Sequence, residues 1–235
     1  MLMLSIDSSS QAAAAAVLRD GELLCEYTQN QMKTHSVKML PMIEQMLKDV
    51  ELKLSDIDVF ACGIGPGSFT GVRIGVATVR GFAKTLNKKV VPVNSLEILA
   101  NNVSSFSGSV FALLMARENE CYAAVYENGK EVVSPCVMTT REIAALGSNQ
   151  TCLLVGDGAL KNREFFQTAL PDAKIAFGRS NVLSAASLGE IAFQKSANGA
   201  VSDCEGLIPL YLRKSQAERE YDERIKTVPS GGKDA

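Results

Sequence analysis

Apolar and polar positions run in two matching series along this chain. Residues 1–6 form a short apolar run that reads as a buried strand, and Asp7, Ser8, Ser9 and Ser10 follow as a turn. Residues 12–18 and 22–28 flank Asp20 and Gly21, a pair that favours a two-residue hairpin. The alanines at 12–16 resemble helix, but the hairpin turn and the short length favour strand. A helical pattern covers 34–50, with Thr34 as candidate N-cap. Strands at 57–62 and 89–93 bracket a second helix at 72–86, and Ser95 is placed to cap a short helix ending at Asn101.

The second series begins with a strand at 110–115. Runs at 121–127 and 131–137 flank Asn128 and Gly129, a second hairpin signal. A helix at 139–146, a strand at 152–155, a further helix, a short strand near Ile175 and a helix at 184–195 complete it. Strand, hairpin, helix and strand therefore recur in one order. This predicts an α/β protein made of two copies of one fold, with mixed sheets flanked by helices. A polar break at 101–108 divides the copies into 1–104 and 105–213, and the polar stretch 214–235 is expected to be a disordered tail.

The densest local signal lies between the fourth strand of the first series and the helix that follows it. Gly63, Gly65, Gly67, Gly71 and Gly75, with Pro66, fall within thirteen residues. A glycine-rich turn entering a helix aims backbone N–H groups and the positive end of the helix dipole at one point, where a phosphate can sit. The same glycines equally suit a loop that only lets strand and helix approach closely. The spacing matches neither the P-loop pattern, for lack of a Lys after the last Gly, nor the dinucleotide fingerprint.

Bulk composition narrows the chemistry. Of 235 residues, 46% are apolar and 21% charged, and the net charge is −2. That is ordinary globular composition, without a basic stripe dense enough to hold a nucleic-acid backbone unaided. Six scattered cysteines without a C-x-x-C pair suit reduced thiols and a cytoplasmic protein. One histidine, His35, leaves no zinc-ligand pattern. The N-terminus meets Asp7 too early for a signal peptide, and no apolar run approaches the ~20 residues that span a bilayer.

The strand ending in Asp7, Ser8 and Ser9, the loop Gly65-Pro66-Gly67-Ser68-Phe69-Thr70-Gly71-Val72-Arg73, and Pro209-Leu210-Tyr211-Leu212-Arg213 together resemble the TsaB (YeaZ) family. The resemblance covers about residues 1–215, and the loop segment is its most specific part. It implies an actin/Hsp70-like (ASKHA) architecture of two ribonuclease-H-like subdomains. It also implies a non-catalytic partner of TsaD, working with the ATPase TsaE in threonylcarbamoyl transfer to the tRNA adenosine beside the anticodon. The tRNA would be reached only through that complex, and the chain would form a homodimer when alone.

ATP-using actin-like enzymes place an acidic residue and a phosphate loop at the start of each subdomain. Here Asp7, Ser8 and Ser9 with Gly65, Pro66, Gly67 and Ser68 occupy the first position. The second position reads Met115-Ala116-Arg117, where many family members carry Asp at the place of Met115. A thioether does not replace a carboxylate on a hard cation. Asp157, between Gly156 and Gly158, either compensates in part or shapes a turn. The expectation is a vestigial nucleotide site with no catalytic residue, no metal and at most weak ATP or ADP binding. An ATP-dependent phosphotransferase or ATPase is the main alternative. A glycoprotease-like metallopeptidase is another, but it lacks the paired histidines such chemistry wants.

The two N-terminal helices carry the candidate partner surface. His35, Met39, Met42 and Met46 line a stripe beside Val37, Leu40, Ile43 and Leu47. Methionines there either fill gaps in a buried helix or form an adaptable contact face. On the second helix Arg73, Arg80 and Lys84 form a basic ridge, next to a face of Gly71, Ile74, Ala77, Thr78 and Gly81. That small-residue face admits another backbone, from a partner or from the chain's own first helix. The family's pairing mode places the homodimer and TsaD contacts on residues 35–46 and 73–84. Arg117, Glu120 and Tyr122 match a family pattern, and Tyr211 and Arg213 with Pro209 are expected to latch the C-terminal segment onto the body.

Overall fold

A computed structural model describes residues 1–30, 35–148 and 151–213. Chain order is β1 (Leu2–Asp7), β2 (Ala12–Arg19), β3 (Glu22–Asn30), α1 (His35–Asp49), β4 (Val59–Gly63), α2 (Phe69–Leu86), β5 (Lys89–Val93) and α3 (Ser95–Asn101). Then come β6 (Ser109–Arg117), β7 (Glu120–Glu127), β8 (Lys130–Thr139), α4 (Thr140–Gly147), β9 (Cys152–Val155), α5 (Asp157–Lys161), α6 (Arg163–Ala169), β10 (Lys174–Ile175) and α7 (Ala185–Ala197). The expected N-cap Thr34 and tail 214–235 lie outside the described residues.

Two five-stranded sheets have the same ribonuclease-H-like topology. The first has the order β3-β2-β1-β4-β5 and the second β8-β7-β6-β9-β10. In each, the leading strand pairs antiparallel with a hairpin on one side and parallel with one later strand on the other, and that strand pairs parallel with a second. The hairpin turns follow from local chemistry. Asp20 and Gly21 have φ of 53° and 87°, and Asn128 and Gly129 have 50° and 76°, the left-handed pair that a tight hairpin needs.

The alanine run of β2 becomes intelligible from both of its faces. Ala13 and Ala15 face a core shared with α1 and α2, while Ala14 and Ala16 lie against Ala185 at the start of α7. Short side chains let helices press on both sides, so burial overrides the weak strand propensity of alanine.

The helices cross the division suggested by the polar break. α7 packs on the first sheet although it follows the second in sequence, and α3 packs on β6 and β7 of the second sheet. A central core joins them, with Leu96 and Leu99 of α3, Leu188 and Ile191 of α7, and Val91, Ala112 and Val155 from the two sheets. α1 and α2 cover the outer face of the first sheet, and α4–α6 that of the second. Two helix starts differ from expectation. α2 begins three residues early because the Ser68 hydroxyl caps it, accepting from Gly71 N at 3.2 Å. α3 is capped by Asn94, which accepts from Glu97 N at 2.8 Å, rather than by Ser95.

Candidate functional site

The end of β1, the glycine loop and the start of α2 meet at one junction. Asp7 is the last residue of β1 and is 1% exposed. Its carboxylate accepts from Ser9 N at 3.0 Å and from Ser9 Oγ at 3.1 and 3.0 Å. Ser9 Oγ also lies 2.8 Å from Ser95 Oγ, where α3 begins. Burial pushes the Asp7 carboxyl up from 3.8 to about 6, against the Ser9 hydrogen bonds that pull it down. The neighbouring Cys62 thiol is raised well above its usual range, first by burial and then by Asp7.

The glycines of the loop are held against this turn by the chain itself. A Cβ on Gly63 would lie 1.8 Å from Asp7 Oδ2, one on Gly67 2.1 Å from Ser9 O, and one on Gly71 2.0 Å from Ser8 O. Ser68 N donates to Ser9 O at 2.7 Å, and Ser8 Oγ donates to Gly71 O at 2.8 Å. Gly65 O accepts from Ser95 N at 2.8 Å, and Ile64 O from Leu210 N at 2.8 Å. Pro66 is buried in the same junction. Asp7, Ser8, Ser9, Gly65, Pro66, Gly67 and Ser68 are thus brought together as the sequence suggested. Their polar groups are directed largely at one another, and close packing explains the glycines without a phosphate.

The second half repeats the layout with different residues. Asp157 opens α5 after β9, as the glycine loop opens α2 after β4. Its Oδ1 accepts from Met115 N at 2.9 Å and its Oδ2 pairs with Lys161 at 2.8 Å. A Cβ on Gly156 would lie 2.1 Å from Leu113 O; Gly156 follows β9 as Gly63 ends β4, and each is held against the end of its leading strand. Asp157 therefore ties β6 to the start of α5. Among the described residues no three His, Cys, Asp or Glu side chains are grouped closely enough to hold a metal ion.

The expected partner stripe of α1 requires correction. Met39, Met42 and Met46 are 1, 4 and 0% exposed and lie in the core between α1, α2 and the first sheet. The helix turns this stripe inward, where unbranched thioether side chains fill the space beside Ile43, Leu47 and Val79. They present nothing to a partner, and Leu40 and Pro41 are exposed instead. His35 is the first residue of α1, and its side chain lies outside the described set.

On α2, Arg73, Ala77, Arg80 and Lys84 are exposed and Ile74 is half-buried. Arg73 Nε donates to the Tyr211 hydroxyl at 2.9 Å, and its guanidinium sits 5.9 and 5.7 Å from the Phe69 and Tyr211 ring centres. The two rings stack at 4.6 Å. Arg80 donates to Cys204 O at 2.9 Å and Glu205 O at 3.1 Å. The C-terminal segment continues to Arg213, whose guanidinium lies 3.2 Å from Glu120 on β7, where Arg117 also pairs at 2.5 Å. Tyr211 and Arg213 therefore do latch that segment, across both sheets' units. The roles of Phe69 and of the Cys204 and Glu205 carbonyls had no sequence signal. They depend on backbone positions more than a hundred residues apart in the chain.

The family model described as TsaD, tRNA N6-adenosine threonylcarbamoyltransferase, matches residues 22–221. The tRNA threonylcarbamoyladenosine biosynthesis protein TsaB of Bacillus subtilis is 30% identical over 96% of this chain and 100% of its own. The solved structure of YeaZ from Pseudomonas aeruginosa superposes with a TM-score of 0.74 at 26% identity, covering 90% of this chain and 99% of that one. A ROK hexokinase from Thermus thermophilus, at 13% identity and TM-score 0.50 over 85% of this chain and 100% of its own, shares the fold alone.

Proposed function

The chain belongs to the TsaB (YeaZ) family of tRNA threonylcarbamoyladenosine biosynthesis proteins, and from that premise we propose that it is a non-catalytic partner of a TsaD protein. In this reading it works in the cytoplasm as a dimerisation scaffold. It self-associates when alone, and exchanges that contact for one with TsaD, which in turn engages TsaE. Transfer of threonylcarbamoyl to the adenosine beside the anticodon happens on the partner, and tRNA meets this chain only through the complex. The contribution is positional, a coupling free energy delivered across an interface.

The observation that carries the reading is the state of the two acidic positions. Asp7 is enclosed by Ser9 and Gly63, and Asp157 is committed to Met115 N and Lys161. Asp7 is buried, and the partly exposed Asp157 has both oxygens engaged within the chain, so neither is well placed to take a hydrated magnesium ion, which keeps several waters. The exposed face of α2, with Ala77 and Gly81 among its cations, supports a docking role.

Reconstitution tests it. The purified chain with TsaD and TsaE from the same organism should restore threonylcarbamoyladenosine formation on tRNA, while the chain alone with Mg-ATP shows no turnover. Full modification activity without this chain, or nucleotide turnover by it alone, would reject the reading.

A further inference from the structure

Three cations share one stripe of α2. At 100° per residue, Arg73, Arg80 and Lys84 fall within a narrow arc, with Ala77 and Gly81 beside it. All five are exposed. Arg80 and Lys84 are also an i,i+4 pair of like charge, an arrangement that weakens an isolated helix.

The two arginines are fixed without being neutralised. Arg73 is held by a phenol and two aromatic rings, and Arg80 by two backbone carbonyls. Among the described residues no carboxylate is within ion-pair distance of Arg73, Arg80 or Lys84. Glu205 bears on the ridge from the C-terminal segment. Its carboxyl is held below the usual range by its own backbone N–H, then the Cys204 thiol, and least by Lys84. One acid against three cations leaves the ridge positive. Its guanidinium groups are set in place before any partner arrives, so binding need not order them.

A surface of this kind distinguishes between occupants. Twofold self-association sets the same patch on both sides of the contact, so cations meet cations. A partner helix with an acidic rim meets opposite charge around a centre of small residues. Resting on the docking role proposed above, we infer that Arg73, Arg80 and Lys84 select an acidic-rimmed helix of the TsaD partner over a second copy of this chain. Charge repulsion across the twofold weakens the homodimer, and charge attraction steers the heteromer.

Salt separates the two contacts because it screens charges beyond about 10 Å at ordinary ionic strength. The affinity of the chain for TsaD should fall roughly tenfold or more from low to high salt, while self-association strengthens or holds. Lys84→Glu, which removes no hydrogen bond among the described residues, should weaken the TsaD complex. An equimolar mixture of Lys84→Glu and wild type should self-associate more tightly than wild type alone. Arg80→Gln, checked for an unchanged fold by circular dichroism, provides the second variant and should weaken the TsaD complex in low salt only. A TsaD complex that forms but ignores both salt and Lys84→Glu overturns this inference and leaves the docking role standing. No complex at any salt overturns the docking role, and this inference falls with it.

Discussion

Arg73 and Tyr211 lie 138 residues apart in the chain and meet at 2.9 Å, with Phe69 stacked under the tyrosine ring. The pair fastens the C-terminal segment to α2 immediately after the glycine loop. Both side chains are largely exposed, so the bond itself is modest and the ring stack is comparable, each about 0.5–1.5 kcal/mol. Tyr211→Phe should therefore cost under about 1.5 kcal/mol in urea unfolding, and Tyr211→Ala roughly twice that. Equal losses for the two variants would mean that the ring stack contributes nothing.

Asp7 predicts a pH dependence of a particular sign. Its folded pKa, about 6, lies above the 3.8 of the free carboxyl. Below both values the group is protonated in either state and costs nothing. As pH rises from 3.8 through 6, the unfolded chain ionises first and stability is lost. At neutral pH that loss reaches about 3 kcal/mol, from 1.36 kcal/mol per unit. Asp7→Asn should remove this component, so wild type gains stability relative to the variant as pH falls from 7 to 4. The check is the difference between their urea midpoints. A difference independent of pH would show that the carboxyl is not held uncharged by burial.

Two glycines on one helix should respond in opposite directions. At Gly71 an added Cβ would meet Ser8 O at 2.0 Å, a backbone atom that cannot swing aside as a side chain would. Gly71→Ala should destabilise by roughly 2–4 kcal/mol, as overpacking at a rigid contact does. At Gly81 no atom of the described residues lies within 4 Å of an added Cβ, and the position is exposed. Gly81→Ala should stabilise by about 0.5–1 kcal/mol through helix propensity. If the small-residue face takes a partner helix closely, the same Gly81→Ala variant should bind TsaD more weakly although it is more stable.

The same contrast shows what was legible in the sequence. Asp20-Gly21 and Asn128-Gly129 located both hairpins, because a left-handed turn is written in its own two residues. The matching order of strands and helices then located both sheets. Helical spacing correctly grouped Met39, Met42 and Met46 on one stripe, but spacing gives no direction for that stripe. It pointed inward because the sheet face opposite needed covering, with Ala13, Ala15, Val17 and Leu4 as floor. Likewise Arg80 read as a surface cation, and its carbonyl partners at Cys204 and Glu205 stand 124 and 125 residues away. Long-range contacts to backbone atoms leave no trace in residue identity. The exchange of α3 and α7 between the sheets was hidden for the same reason, since the apolar residues of each helix do not say which sheet they will cover.

The inward turn of the methionines changes what substitution there should do. Met46 is fully buried among Phe60, Val79 and Leu47 in the first sheet's outer core. Met46→Ala removes buried apolar volume and should cost about 2–5 kcal/mol, lowering the urea midpoint. Its effect on partner binding should vanish once the fraction folded is accounted for. Ala77 is the informative counterpart, because it is exposed beside the cation stripe and its replacement disturbs no core. Ala77→Gln should change stability by only a few tenths of a kcal/mol, since glutamine is a good helix former. If α2 takes TsaD as proposed, the longer side chain should nevertheless weaken that complex at least tenfold, with the loss in dissociation rate. Binding by Ala77→Gln at wild-type affinity, measured alongside an unchanged melting curve, would move the docking surface off α2 and onto another exposed part of the fold.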